Sequence, residues 1–149
     1  MHNAQCTMHN HLASETNHKN NHVMKKDEEN LIVVKSKSFA LRVMKLRLYL
    51  TKEMHEYDVS KQLVRSGTSI GANVKEAIRG QSTPDFGAKM NIALKEASES
   101  EYWLELLYES EYIDQQGFES MMYDCKELIR TLTSIVKTTF NRIKSKDNK

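Results

Sequence analysis

The sequence predicts an all-α fold, an antiparallel up-down four-helix bundle with a disordered N-terminal leader. Three observations lead there. From about Ser36 nearly to the end, apolar residues recur at three- and four-residue steps, the repeat of a single buried helix face. One Pro and five Gly in 149 residues leave too few turn formers for a many-stranded fold. Apolar residues make up 39% of the chain and charged residues 28%, so a core can be filled and wholesale disorder is excluded. Four amphipathic helices joined by short turns bury their stripes most simply by alternating in direction.

Residues 1–30 form the predicted leader. They carry five of the six histidines (His2, His9, His11, His18, His22) and no helical or strand period, so they have no face to bury. Met24, followed by Lys25-Lys26-Asp27-Glu28-Glu29, offers a second start for translation and would make residues 1–23 an upstream extension. The bundle is assigned to residues 31–149. A first helix is predicted over about 36–54, capped by Ser36 or Ser38, with Phe39, Val43, Met44, Leu46 and Leu50 along its stripe. Asp58 reads as the cap of a second helix to about residue 80, carrying Val59, Leu63, Ile70, Val74, Ala77 and Ile78. Thr83-Pro84-Asp85 is the clearest start signal: a capping hydroxyl, a proline in the first turn and an acid beside it. The third helix runs from 84 to about 111 and has two apolar strips, one through Met90, Ala97 and Leu104, the other through Ile92, Trp103 and Leu106. A turn at Asp114-Gln115-Gln116-Gly117 leads into a fourth helix over about 115–145, whose heptad includes Phe118, Met121, Cys125, Leu128, Leu132 and Ile135.

The second strip on the third helix exceeds what one bundle needs, and points to a homo-oligomer. Gly67 and Gly71, four apart on the second helix, make a small face that lets another backbone approach; close packing within the bundle and subunit contact both account for it. Trp103 and Leu106 join them as interface candidates.

Charge is unevenly placed although the net charge is only +2. Between Lys35 and Lys52 there are basic residues and no acid, and the last twenty-odd residues are also basic, whereas the third helix is acidic. Arg42, Lys45 and Arg47, with Arg142, Lys144 and Lys146, are the candidate contacts to nucleic-acid phosphates, RNA or DNA. The competing reading is a solvated basic face that aids solubility. Glu101, Glu105 and Glu109 lie four apart and repel one another unless they face solvent or meet a basic strip on a neighbouring helix or subunit.

Catalytic and metal chemistry find no footing. His55 is the one histidine outside the leader, and Lys52 precedes it by three, so the Glu-x-x-His element of a di-iron bundle is missing. Cys125 lies inside an apolar heptad, the place of a buried small hydrophobe and not of a nucleophile. The glycines lack the strand and the Lys-Ser/Thr of a phosphate loop. Cys6-x-x-His9-x-His11 sits in a segment with no fold to hold a tetrahedron, so no metal or cofactor is expected. The longest apolar run, Leu31-Ile32-Val33-Val34, is far too short to span a membrane. With no signal segment and two cysteines, a cytoplasmic location is expected.

Arg65-Ser66-Gly67-Thr68-Ser69-Ile70-Gly71-Ala72-Asn73-Val74-Lys75-Glu76-Ala77 resembles the signature of a four-helix-bundle family, the proteins encoded in intervening sequences of bacterial large-subunit ribosomal RNA genes. Lys89 through Leu107, with its Ala-Leu-Lys-Glu-Ala and Glu-Tyr-Trp-Leu segments, resembles that family's third helix. The likeness covers about Phe39 to Phe140. It implies an antiparallel bundle assembled as a ring-like homopentamer. It also implies kinship with the accessory protein of diversity-generating retroelements, which binds nucleic acid and a reverse transcriptase. The leader has no counterpart in that pattern, and Glu111 stands where the family often has a helix-ending Gly or Asn. On this reading the chain is a non-enzymatic, nucleic-acid-associated adaptor. The alternative is a protein-interaction scaffold that binds no nucleic acid, with the acidic third helix or its exposed aromatics docking a partner protein.

Overall fold

Among the residues described by the computed structural model, 31–148, every long apolar-periodic run is helical and none forms a strand. The helices are α1 over residues 31–52, α2 Asp58–Ile78, α3 Thr83–Glu109 and α4 Gln115–Asp147. The leader, the alternative start at Met24 and the Cys6–His9–His11 group lie outside the described residues.

The helix starts differ from expectation in instructive ways. α1 is already helical at residue 31. Ser36 and Ser38, the two serines expected as its cap, are instead mid-helix, and the buried Ser36 hydroxyl donates to the Val33 carbonyl at 3.2 Å. Ile32 is fully buried, so the core stripe continues upstream of the expected cap. α2 is not capped by Asp58. The buried carboxylate of Glu56 accepts the backbone N–H groups of Asp58, Val59 and Ser60 at 3.0, 2.7 and 2.8 Å. A longer acid two residues earlier reaches three of the helix's orphan donors, and its charge sits on the positive end of the helix dipole. At α3 the cap is Ser82, accepting from the Asp85 N–H at 3.2 Å, with Thr83 and Pro84 already in the first turn. Asp114 caps α4 by accepting from the Gly117 N–H at 2.7 Å, which makes 115–117 a first helical turn and not a loop.

The α3–α4 corner closes as a Schellman motif. The Tyr112 N–H returns to the Leu107 carbonyl and the Glu111 N–H to the Tyr108 carbonyl, each at 2.9 Å. That closure requires a left-handed residue, and Glu111 supplies it at φ 63°.

Cross-helix contacts give the topology. Ser36 of α1 lies against Gly71 of α2, and Val43 against Gly67. Arg65 of α2 pairs with Glu96 and Glu99 of α3, while Glu76 pairs with Lys89 at 2.7 Å. Ala97 and Gly87 of α3 meet Cys125 and Thr139 of α4. Lys35 and Arg42 of α1 pair with Glu127 and Asp124 of α4, each at 2.5 Å. In each pair the residue numbers rise on one helix as they fall on the other, so neighbours are antiparallel and α1 closes the ring against α4.

The core between them is filled by Phe39, Val43, Leu50, Leu63, Ile70, Val74, Met90, Leu104, Leu128 and Leu132, all essentially inaccessible. Its few polar members are satisfied: Ser66 and Ser100 share a hydrogen bond at 2.8 Å across α2 and α3. The Cys125 thiol donates to the Ala97 carbonyl at 3.3 Å, and burial pushes its pKa up to about 12. It serves as a small apolar residue, not a nucleophile.

Candidate nucleic-acid interface

The antiparallel register separates the basic residues singled out in the sequence. Arg42 is level with Ser120, whose carbonyl and hydroxyl it contacts at 3.2 and 2.7 Å while its other bond goes to Asp124. It therefore ties α1 to α4. Lys45 and Arg47 follow within a turn and a half, and neither forms an ion pair among the described residues. Arg142 stands about six turns farther along α4, roughly 30 Å away at about 1.5 Å rise per residue. The group on α1 and the group at the C-terminal end of α4 are therefore two places on the molecule, not one.

The same register sets the neighbours of the C-terminal group. Gly87 meets Thr139, so the start of α3 stands level with Arg142. Lys35 pairs with Glu127, so the start of the described part of α1 lies roughly 20 Å short of Arg142 at about 1.5 Å rise per residue, and α4 runs on past it. Lys144 and Lys146 are exposed there and Arg142 is half-buried. Among the described residues the acids at this level are Asp85, in the first turn of α3, and Asp147, on α4 itself. At the opposite end the balance reverses: Glu105, Glu109, Glu111, Asp114 and Glu119 are exposed and form no ion pair among the described residues. The bundle is thus polarised along its axis.

The interface candidates also separate. Gly67 is buried under α1, with a Cβ position 2.8 Å from a Val43 methyl. Gly71 is half-exposed and borders a groove of about 510 Å³ between α1 and α2, flanked by Lys37 and Lys75. Trp103 is half-buried, its indole N–H donating to Glu99 at 3.1 Å and its ring 5.0 Å from Tyr102. Leu106 is half-buried next to it. The hydrogen bond from Arg65 holds the Glu99 carboxyl below its usual range. Among the described residues no three His, Cys, Asp or Glu side chains gather as a metal site would need, and no helix is long and apolar enough to cross a membrane.

The comparisons agree with this architecture. A solved structure from Bacteroides thetaiotaomicron VPI-5482, described as a protein of unknown function from the S23 ribosomal protein family, is 50% identical and superposes with a TM-score of 0.73. The match covers 74% of this chain and 98% of that one. No curated protein matches this chain significantly. The model of the family described as 23S rRNA-intervening sequence protein matches residues 28–134. With the two sequence blocks at 65–77 and 89–107 lying on α2 and α3 inside that match, the chain belongs to the 23S rRNA-intervening sequence protein family.

Proposed function

We propose that this protein is a non-enzymatic, cytoplasmic, homo-oligomeric bundle, pentameric as the family resemblance implies, that acts as a nucleic-acid-associated adaptor. The observation that carries the proposal is the basic C-terminal end of α4, where Arg142, Lys144 and Lys146 fall within about one helical turn, the two lysines exposed. The family's description, with its reference to ribosomal RNA, favours RNA as the nucleic acid. A ring of copies standing side by side presents several such ends on one side, so the assembled field far exceeds that of one chain at +2. Contacts of this kind go to phosphates and give salt-sensitive binding with little sequence preference.

Fluorescence anisotropy tests it, with labelled single-stranded RNA, structured RNA and duplex DNA titrated at two salt concentrations. Binding should weaken steeply with salt. Replacing Arg142, Lys144 and Lys146 with Gln should lower the slope of log K against log salt by about 2 on single strands, at about 0.7 per lost phosphate contact. Replacing Lys45 and Arg47 instead should change it less. No binding to any of the three at low salt would refute the adaptor and leave the protein-interaction scaffold as the better account.

A further inference from the structure

α1 turns an apolar stripe outward. Val34, Leu41, Met44 and Leu48 are 51–66% exposed, and the first, second and fourth of them repeat at seven-residue intervals. A helix packed on one side has its apolar residues on that side; here α1 also has a full inner stripe through Ile32, Phe39, Val43 and Leu50. The outer stripe is the seam of a helix that packs twice. Lys37, Lys45 and Lys52 flank it, all exposed.

The matching surface is the crest of α3. Tyr102 is 51% exposed there, and Glu105 and Glu109 continue the same crest without an ion pair among the described residues. The two surfaces are complementary in charge where Lys45 and Lys52 of α1 face the Glu105 and Glu109 end of α3, with Tyr102 offering an apolar ring to Met44 and Leu48. They also stand at the same height. Val43 lies against Gly67, and the adjacent Ser66 bonds Ser100, so Val43 and Ser100 are level. α1 and α3 run in the same direction, so Met44 and Lys45 come level with Tyr102, Leu48 with Glu105, and Lys52 with Glu109.

We infer that α1 of one copy packs on α3 of the next through these faces, with both bundles pointing the same way. The inference rests on the self-association proposed above and names its interface. The contact is head-to-tail, since the two faces belong to different helices of each copy. With the faces at equal height, successive copies are related by a rotation without a rise, the relation that a closed ring needs and a helical filament lacks. This arrangement also answers the like-charge spacing of Glu105 and Glu109, because Lys52 of the neighbouring copy stands opposite Glu109 and its Lys45 lies within a turn of Glu105.

A mixing experiment on the full chain tests it. One variant, Lys45→Glu with Leu48→Glu, blocks the α1 face; the other, Tyr102→Lys with Glu105→Lys, blocks the α3 face. All four residues are exposed, and circular dichroism verifies that each variant keeps its helices. By light scattering each variant alone should be monomeric, while an equimolar mixture should give dimers and nothing larger, because each partner retains one working face. Variants that stay as large as the wild type would overturn the assignment of these faces while leaving self-association intact. Monomeric variants that fail to pair on mixing would overturn the head-to-tail arrangement. A monomeric wild type at tens of micromolar would overturn the self-association itself.

Discussion

Gly67 and Gly71 occupy equivalent places in the same motif, and replacing each with Ala should move stability in opposite directions. An added Cβ at Gly67 would sit 2.8 and 3.2 Å from the two methyls of Val43. Val43 is β-branched on a helix and fully buried, so its side chain has no free rotamer to retreat into, and α1 and α2 must separate instead. Overpacking of that kind costs about 1–3 kcal/mol. The gain from replacing a helical glycine is about 1 kcal/mol. The net for Gly67→Ala is a loss of up to about 2 kcal/mol. At Gly71 the nearest atom is the Ser36 hydroxyl at 3.4 Å, an ordinary contact, so the propensity gain survives and Gly71→Ala should be stabilising by about 0.5–1 kcal/mol. Urea unfolding reads the difference: at a slope of about 1–3 kcal/mol/M the two midpoints should part by roughly 1 M. Measurement at two protein concentrations separates any contribution from assembly. A stabilised Gly67→Ala, or two variants shifting alike, would refute the claim that α1 and α2 touch at Gly67 and merely approach at Gly71.

Glu111 is held at φ 63° in a position that favours glycine, at a cost of about 1–2 kcal/mol for an L-residue. Glu111→Gly should therefore raise stability by about 1 kcal/mol, a Tm increase of about 3–5 °C by calorimetry, while Glu111→Ala should not. The carboxyl of Glu99 is held below its usual range by the hydrogen bond from Arg65. A depressed folded value contributes stability above the unfolded pKa that is lost as pH falls through the folded one. Urea midpoints at pH 7 and pH 3 should show a smaller acid loss for Arg65→Met than for the wild type. The pair is partly exposed, so the effect stays within about 0–1 kcal/mol.

The sequence by itself determined the four helices, their alternation and most of the core, because apolar periodicity is a local property that each helix carries in its own residues. It determined the α3 and α4 starts to within a residue or so for the same reason. It misplaced the caps of α1 and α2. Ser36 reads as a cap locally, yet Ile32 pairs with a core that is assembled by other helices, and Glu56 caps α2 only because His55 at φ 52° folds it back beneath the helix. Only the tertiary structure decided which charges share a surface. Arg42 and Lys35 look free in the sequence and are bound to Asp124 and Glu127, some eighty to ninety residues away. Periodicity reports which side of a helix is buried; it says nothing of which helix lies opposite or at what height. That height divides the basic residues between the two ends of the bundle and brings the outer faces of α1 and α3 level.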